Sequence, residues 1–101
     1  MSYRILFSPE ANDDLTDILG WYKESPNQSL HKQFITALSK SLRILETIPE
    51  AYPLRYKNAR CAVLKKFPFN IYYWIDVSDM SVNIFALLHQ SRNPVIWEDR
   101  V

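Results

Sequence analysis

The residues best suited to chemistry lie near the C-terminus, where His89 precedes Arg92 by three positions. An imidazole beside a guanidinium suits RNA cleavage, because the imidazole transfers a proton while the cation stabilises a charged phosphorane. Other roles fit the same two side chains. Arg92 can anchor the tail through an ion pair with Glu98 or Asp99, and His89 can cap a strand. The residue types alone leave these alternatives open.

Other chemistries are poorly represented. The two histidines, His31 and His89, are 58 positions apart and share the chain with one cysteine, Cys61, which is a poor ligand set for a metal. The single glycine, Gly20, excludes a glycine-rich phosphate loop and a Gly-x-Ser-x-Gly nucleophile motif. Cys61 cannot form an intramolecular disulfide and is predicted to be a buried apolar residue. We therefore expect no metal and no cofactor.

Length and overall charge narrow the class of protein. The 101 residues, of which 48% are hydrophobic, fit a single domain over residues 1–101 with a C-terminal tail at 89–101. A net charge of +1 argues against a general nucleic-acid coat protein. The N-terminus turns polar too early for a signal peptide, and no apolar run reaches about 18 residues. We expect a cytoplasmic protein that does not enter a membrane.

Positive charge is concentrated in one segment. Residues 1–53 hold five Lys/Arg and seven Asp/Glu, whereas residues 54–101 hold seven and four. Residues 55–66 contain no acid and five bases, namely Arg55, Lys57, Arg60, Lys65 and Lys66. Such a segment attracts an acidic partner, either nucleic acid or acidic protein, although a solvated strand and loop fits equally. The contact candidates are Arg60, Lys65 and Lys66, with Trp97 and Arg100 in the tail.

Two helices are predicted to position these residues. After a strand over residues 2–7, Ser8 suits the N-cap and Pro9 the first position of a helix. Its apolar residues recur at the helical period and form one buried stripe: Ala11, Leu15, Ile18, Leu19 and Tyr22. Gly20 costs about 1 kcal/mol relative to alanine inside a helix, so close packing against a neighbour is expected to compensate. Residues 25–27 break the chain, and a second helix runs to about Thr47.

Beyond Pro53 the apolar period changes to two, which predicts strands over residues 60–67, 69–76 and 82–88. The order β-α-α-β-β-β gives an α+β fold, in which an antiparallel sheet carries a helical hairpin on one face. In the last strand, one alternating set is Val82, Ile84, Ala86 and Leu88. The sheet face away from the helices would present Asn70, Tyr72, Trp74, Asn83, Phe85 and Leu87. That face is unusually aromatic for open solvent, which indicates a partner.

Several motifs, taken in order, resemble the RelE/ParE superfamily of toxins from type II toxin–antitoxin systems. The sequence Ser8-Pro9-Glu10-Ala11 leads into an acidic helix that ends in an aromatic pair at 21–22. Arg60 opens a strand, and residues 67–73 read Phe-Pro-Phe-Asn-Ile-Tyr-Tyr. The segment 89–97 keeps a His-x-x-Arg-Asn-Pro pattern followed by tryptophan. The resemblance covers residues 3–97 and implies the same β-α-α-β-β-β fold, in a plasmid-stabilisation type of toxin that inhibits growth.

The resemblance implies two alternative activities. RelE-like members cleave ribosome-bound mRNA with lysines on the second strand and arginines further on. This chain has Cys61 and Val63 in place of the lysines and Asn70 in place of one arginine. Only Arg92 keeps a matching base, and His89 keeps a nuclease role open because some nucleases of the family use histidine. ParE-like members bind and poison DNA gyrase without chemistry. The missing cations favour the ParE-like, non-enzymatic alternative.

The same resemblance implies the partners. A cognate antitoxin is expected to neutralise the protein. The expected assembly is a homodimer or a heterotetramer with the antitoxin. The contact surface is expected to include the aromatic residues Tyr72, Trp74 and Phe85. The cellular target is DNA gyrase or, in the alternative, the ribosome with its mRNA.

Overall fold

A computed structural model describes residues 2–91, which form two helices and five strands. The strands are β1 Arg4–Phe7, β2 Leu54–Tyr56, β3 Ala59–Val63, β4 Phe69–Asp76 and β5 Ser81–His89. The helices are α1 Pro9–Lys23 and α2 Ser29–Thr47, and a single 3₁₀ turn, Pro49–Ala51, follows α2. None of the helices in the described range is long and apolar enough to span a membrane.

The strands form one sheet in the order β1-β5-β4-β3-β2. The predicted α+β class is confirmed, with the helical hairpin packed on one face of the sheet. Two details differ from the expected arrangement. β1 pairs with β5 in parallel, so the sheet is mixed, and β2 is an additional strand at the edge. β2 escaped the sequence pattern because three residues with Arg55 at their centre are too short to show a period of two.

The start of α1 follows the sequence prediction, whereas its glycine does not. The Ser8 hydroxyl accepts a hydrogen bond from the Ala11 N–H at 3.1 Å, and Pro9 occupies the first turn. Gly20 is exposed, and a Cβ built on it would lie more than 4 Å from any described neighbouring atom. The predicted close packing at Gly20 is therefore wrong.

The main core lies between the helical hairpin and the sheet. Its centre is a cluster of four aromatic rings with centroids 5.2–6.2 Å apart: Tyr22, Phe34, Phe67 and Phe69. Most pairs meet edge to face, the arrangement that the ring quadrupoles favour. Two rings come from the helices, Phe69 comes from β4 and Phe67 from the turn before it, so this cluster joins the two layers.

A β-bulge at Phe85 reverses the alternation of β5. Tyr72 pairs with Ala86, but Tyr73 pairs with Ile84, so the register between β4 and β5 shifts by one residue at Phe85. The extra residue moves every later side chain to the opposite face. Leu87 therefore lies in the main core with Val82 and Ile84, whereas Ala86 and Leu88 join Phe85 on the other face. The predicted outward position of Leu87 and shared face of Ile84 with Ala86 and Leu88 are wrong.

Candidate functional site

His89 lies at the end of β5, opposite Phe69 of β4. Its ring meets the Phe69 ring edge to face, with centroids 5.4 Å apart. Nδ1 accepts a hydrogen bond from the Ser91 N–H at 3.1 Å and lies 2.8 Å from the Ser91 hydroxyl. An acceptor role for Nδ1 leaves the proton of a neutral ring on Nε2. The predicted neighbours Arg92, Trp97 and Arg100 lie outside the described residues, so the pairing of His89 with Arg92 stays a prediction.

Arg60 and Tyr73 hold the segment after α2 against the sheet. They are paired across β3 and β4. Nη1 of Arg60 donates to the Tyr52 carbonyl at 2.6 Å and to the Glu50 carbonyl at 3.3 Å. The Tyr73 hydroxyl donates to the Pro49 carbonyl at 2.6 Å, and burial raises the pKa of this phenol well above its ordinary range. Arg60 thus has a structural task that its place in a basic segment did not indicate.

The sheet face away from the helices carries a second, smaller hydrophobic cluster. It consists of Ala59, Cys61, Tyr72, Phe85, Ala86 and Leu88. The sequence suggested an open aromatic surface here, but Tyr72 is 8% and Phe85 3% exposed. Trp74 is only partly buried and packs against the cluster. Of the three aromatic contact candidates, Trp74 is therefore the one whose side chain remains accessible.

The Cys61 and Asn70 side chains on this face are buried and uncharged. Burial raises the pKa of the Cys61 thiol, although the positive charge of Arg55 and a hydrogen bond with Tyr72 oppose the shift. Asn70 is 8% exposed, and its amide nitrogen lies 3.4 Å from the Tyr72 hydroxyl. Its Oδ1 has no hydrogen-bond partner within the described part of the chain. Such surroundings disfavour a charged intermediate.

A groove of about 740 Å³ runs between α2 and the end of β3. Lys32 and Lys40 of α2 line one side, and Lys65 and Lys66 of the β3–β4 turn line the other. We call it the lysine groove. Its lining also includes apolar side chains, among them Ala37, Ile44, Val63 and Phe67. None of the described residues that line it is Asp or Glu.

The sequence predicted two of the four lysines of the groove as contact residues. Lys65 and Lys66 were contact candidates because of the basic segment 55–66, whereas Lys32 and Lys40 were not singled out. A signal for them exists, since residues 25–45 contain three Lys/Arg and no acid, and residues 51–75 contain five and none. The structure places both acid-free segments along one groove. Within residues 2–91, no three His, Cys, Asp or Glu side chains lie close enough together to hold a metal ion.

Comparison with known families gives one match over most of the chain. The model of the family described as the ParE toxin of the type II toxin–antitoxin system, parDE, matches residues 5–94. No curated protein sequence matches the chain.

Solved structures of toxins share the fold at low sequence identity. The chromosomal ParDE toxin–antitoxin system from P. aeruginosa aligns with a TM-score of 0.70 and 13% identity, covering 86% of this chain and 95% of that one. The isolated E. coli RelE toxin aligns with a TM-score of 0.56 and 18% identity, over 97% of this chain and 95% of RelE. The archaeal RelE–RelB complex from Pyrococcus horikoshii OT3 aligns with a TM-score of 0.54 and 15% identity, over 92% of this chain and all of that chain.

Proposed function

Because the chain belongs to the ParE toxin family of type II toxin–antitoxin systems, we propose that it inhibits DNA gyrase by binding, without chemistry of its own. It acts in the cytoplasm and is held inactive by a cognate antitoxin. The solved ParDE and RelE–RelB structures are toxin–antitoxin systems, which supports an antitoxin partner here.

The observation that carries the non-enzymatic proposal is the lack of a positively charged side chain at three positions of β3 and β4. The resemblance to RelE-like nucleases aligns their catalytic cations with Cys61, Val63 and Asn70 of this chain. Cys61 is 2% exposed and Asn70 8% exposed, and burial raises the pKa of the Cys61 thiol. A pentavalent phosphorane needs preorganised positive charge beside it. The side chains at these positions are uncharged, whether buried as Cys61 and Asn70 are or 46% exposed as Val63 is, so they cannot supply it.

Three bases of the C-terminal half, Arg60, Lys65 and Lys66, have other surroundings, whereas the charge of Arg55 acts on the Cys61 thiol. The Arg60 guanidinium donates to two backbone carbonyls of the segment after α2, and Lys65 with Lys66 lines the lysine groove. Among the described residues, the contacts of His89 are with Phe69 and Ser91 and include no cation. Of these bases, Lys65 and Lys66 are the ones whose surroundings support the binding of a partner.

Two assays with the purified protein test the proposal. In the first, gyrase supercoils relaxed plasmid with and without the toxin, and we expect inhibition that prior addition of the antitoxin abolishes. In the second, the toxin is added to ribosomes programmed with an end-labelled mRNA, which we expect to remain intact. Cleavage of the mRNA together with unimpaired supercoiling would replace gyrase binding by the ribonuclease alternative.

A further inference from the structure

We propose that the lysine groove is the docking surface for an acidic, amphipathic segment of the cognate antitoxin. The proposal rests on the proposed function, since it names the surface by which that partner is held. The groove joins α2 to the β3–β4 turn, so an occupant would contact both layers of the fold. The lysines of the groove favour an acidic occupant, and its apolar side chains favour an amphipathic one.

The positive charge of the groove favours a bound segment that carries carboxylates. Four lysines line the groove, and no acid is among the described residues of its lining. Four acids of the described residues, Glu10, Asp13, Asp14 and Asp17, lie together on α1. Complementary charge speeds association and sets the register of a bound segment. A segment with carboxylates spaced along it is therefore the matching ligand.

The apolar lining selects for a protein segment over a nucleic acid. Ile44 is 41% and Val63 46% exposed, and both line the groove between the lysines. Sites for single-stranded nucleic acid combine basic residues with open aromatic platforms for the bases. Two aromatic residues line the groove, but Phe67 is only 8% exposed and Tyr52 is partly buried. An amphipathic peptide offers carboxylates to the lysines and aliphatic side chains to Ile44 and Val63 at the same time.

The edge of β3 is open beside the groove. β2 pairs only with Ala59 and Arg60, although the Cys61 N–H also reaches the Pro53 carbonyl at 3.4 Å. The Leu64 N–H donates towards β4, to the Phe69 carbonyl at 3.1 Å. Successive residues of an antiparallel strand direct their amides to opposite edges, so the Val63 amide faces away from β4. No strand among the described residues pairs with it there, which leaves a position for an extended part of the antitoxin.

Lys66 is held in an unusual backbone conformation at this site. Its φ is 70°, in the left-handed region that glycine adopts most readily. Lys57, in the β2–β3 turn, has a φ of 51° but does not line the groove. Strained residues concentrate at binding sites, where the side chain is needed despite the backbone cost. The two lysines therefore make a matched pair for separating side-chain binding from backbone strain.

The test measures antitoxin affinity by titration calorimetry, using as ligand the protein whose co-expression relieves growth arrest by this toxin. The variant Lys40→Glu/Lys66→Glu reverses two charges in the groove. The control Arg43→Glu/Lys57→Glu makes the same change in net charge at exposed positions outside it. We expect the dissociation constant to rise about tenfold or more for the groove variant and less than about threefold for the control.

Folding is separated from binding by a second variant. Lys66→Gly removes the charge at a backbone conformation that suits glycine, so it should fold at least as well as the wild type. We expect it to weaken antitoxin binding about threefold, whereas Lys57→Gly should leave the affinity unchanged. Circular dichroism melting curves verify that each variant is folded.

The outcomes distinguish failure of the groove proposal from failure of the proposed toxin function. Full antitoxin affinity in both groove variants would overturn the groove as docking surface, while relief of growth arrest would leave the toxin function intact. If no protein encoded beside the gene relieves growth arrest, or if the chain causes none, the toxin–antitoxin function itself fails and the groove proposal falls with it. Binding of a short RNA or DNA duplex by the toxin, lost in the groove variants while their antitoxin affinity stays full, would assign the groove to nucleic acid instead.

Discussion

The carboxylate of Asp14 on α1 accepts a hydrogen bond from the backbone N–H of Leu87 on β5, with Oδ2 and N 3.1 Å apart. β1 pairs with β5 only as far as Ile84, and the bulge at Phe85 follows. Leu87 therefore lies beyond the part of β5 that β1 can pair with. Asp14 supplies the acceptor there and ties the helical hairpin to the sheet.

Asp14→Ala should lower the free energy of unfolding by about 1–2 kcal/mol, because it leaves a partly buried amide without its charged acceptor. Asp13→Ala is the matched control, since Asp13 is an exposed neighbour on the same turn and the change in helix propensity is equal. Its effect should stay within about 0.5 kcal/mol. Urea denaturation measures both values, and equal stabilities of the two variants would show that the hydrogen bond contributes nothing.

Gly20→Ala should raise the free energy of unfolding by about 0.5–1 kcal/mol. A Cβ at this position meets no described atom within 4 Å, so the variant gains helix propensity without a clash. Gly20→Pro provides the contrast, because proline in a helix interior costs about 3 kcal/mol. Thermal melts of the two variants check the prediction, and a destabilising alanine would reveal a close neighbour at this exposed site.

Stability should fall as the pH rises above 10. Burial raises the pKa of Tyr73 from its ordinary value of 10.0, so the folded chain keeps a proton that the unfolded chain releases. Proton release then favours unfolding, and the free energy of unfolding decreases by at most about 1.4 kcal/mol per pH unit for this group. Tyr73→Phe should remove that part of the slope between pH 10 and 11 in urea titrations, and an unchanged slope would contradict the assignment.

The same variant should cost about 1–3 kcal/mol at neutral pH, because the Pro49 carbonyl loses the hydroxyl that lies 2.6 Å away. Tyr3→Phe is the control, since the Tyr3 hydroxyl makes only a long, exposed contact of 3.5 Å with Glu50. Its cost should stay below about 0.5 kcal/mol.

Cys61→Ser should destabilise the protein by about 1–3 kcal/mol, because the hydroxyl enters an apolar cluster. Cys61 is 2% exposed, and burial raises the pKa of its thiol. Growth inhibition per folded molecule should be unchanged in this variant. In the wild type, the Cys61 thiol should react with iodoacetamide only after unfolding. A variant of full stability that no longer inhibits growth would give Cys61 a functional role.

His89→Ala should leave growth inhibition nearly unchanged if the protein acts by binding. The ring packs on Phe69 and accepts the Ser91 amide, which are structural contacts. Deletion of residues 93–101 should weaken gyrase inhibition, because it removes Trp97 and Arg100. A loss of about 10²-fold or more in His89→Ala, together with mRNA cleavage by the wild type, would instead identify proton transfer by the imidazole.

Much of the local structure could be predicted from the sequence. Ser8 and Pro9 mark the start of α1, and the alternation of Phe69, Ile71 and Tyr73 places these residues on the core face of β4. Such features depend on residues a few positions apart, because helix caps and strand periods are set by neighbouring backbone groups. The family motifs likewise follow the order of residues and could be read without coordinates.

Only the tertiary structure decided which basic residues share a site. Lys40 and Lys66 line one groove although 26 positions separate them, while Arg60 is bound to backbone carbonyls. The bulge at Phe85 turned Leu87 into the core, and no local pattern announces it. These features arise from contacts between segments distant in sequence, where sheet order and the packing of α2 fix the neighbours. The sequence by itself determined the elements and the family; packing between elements determined the surfaces they present.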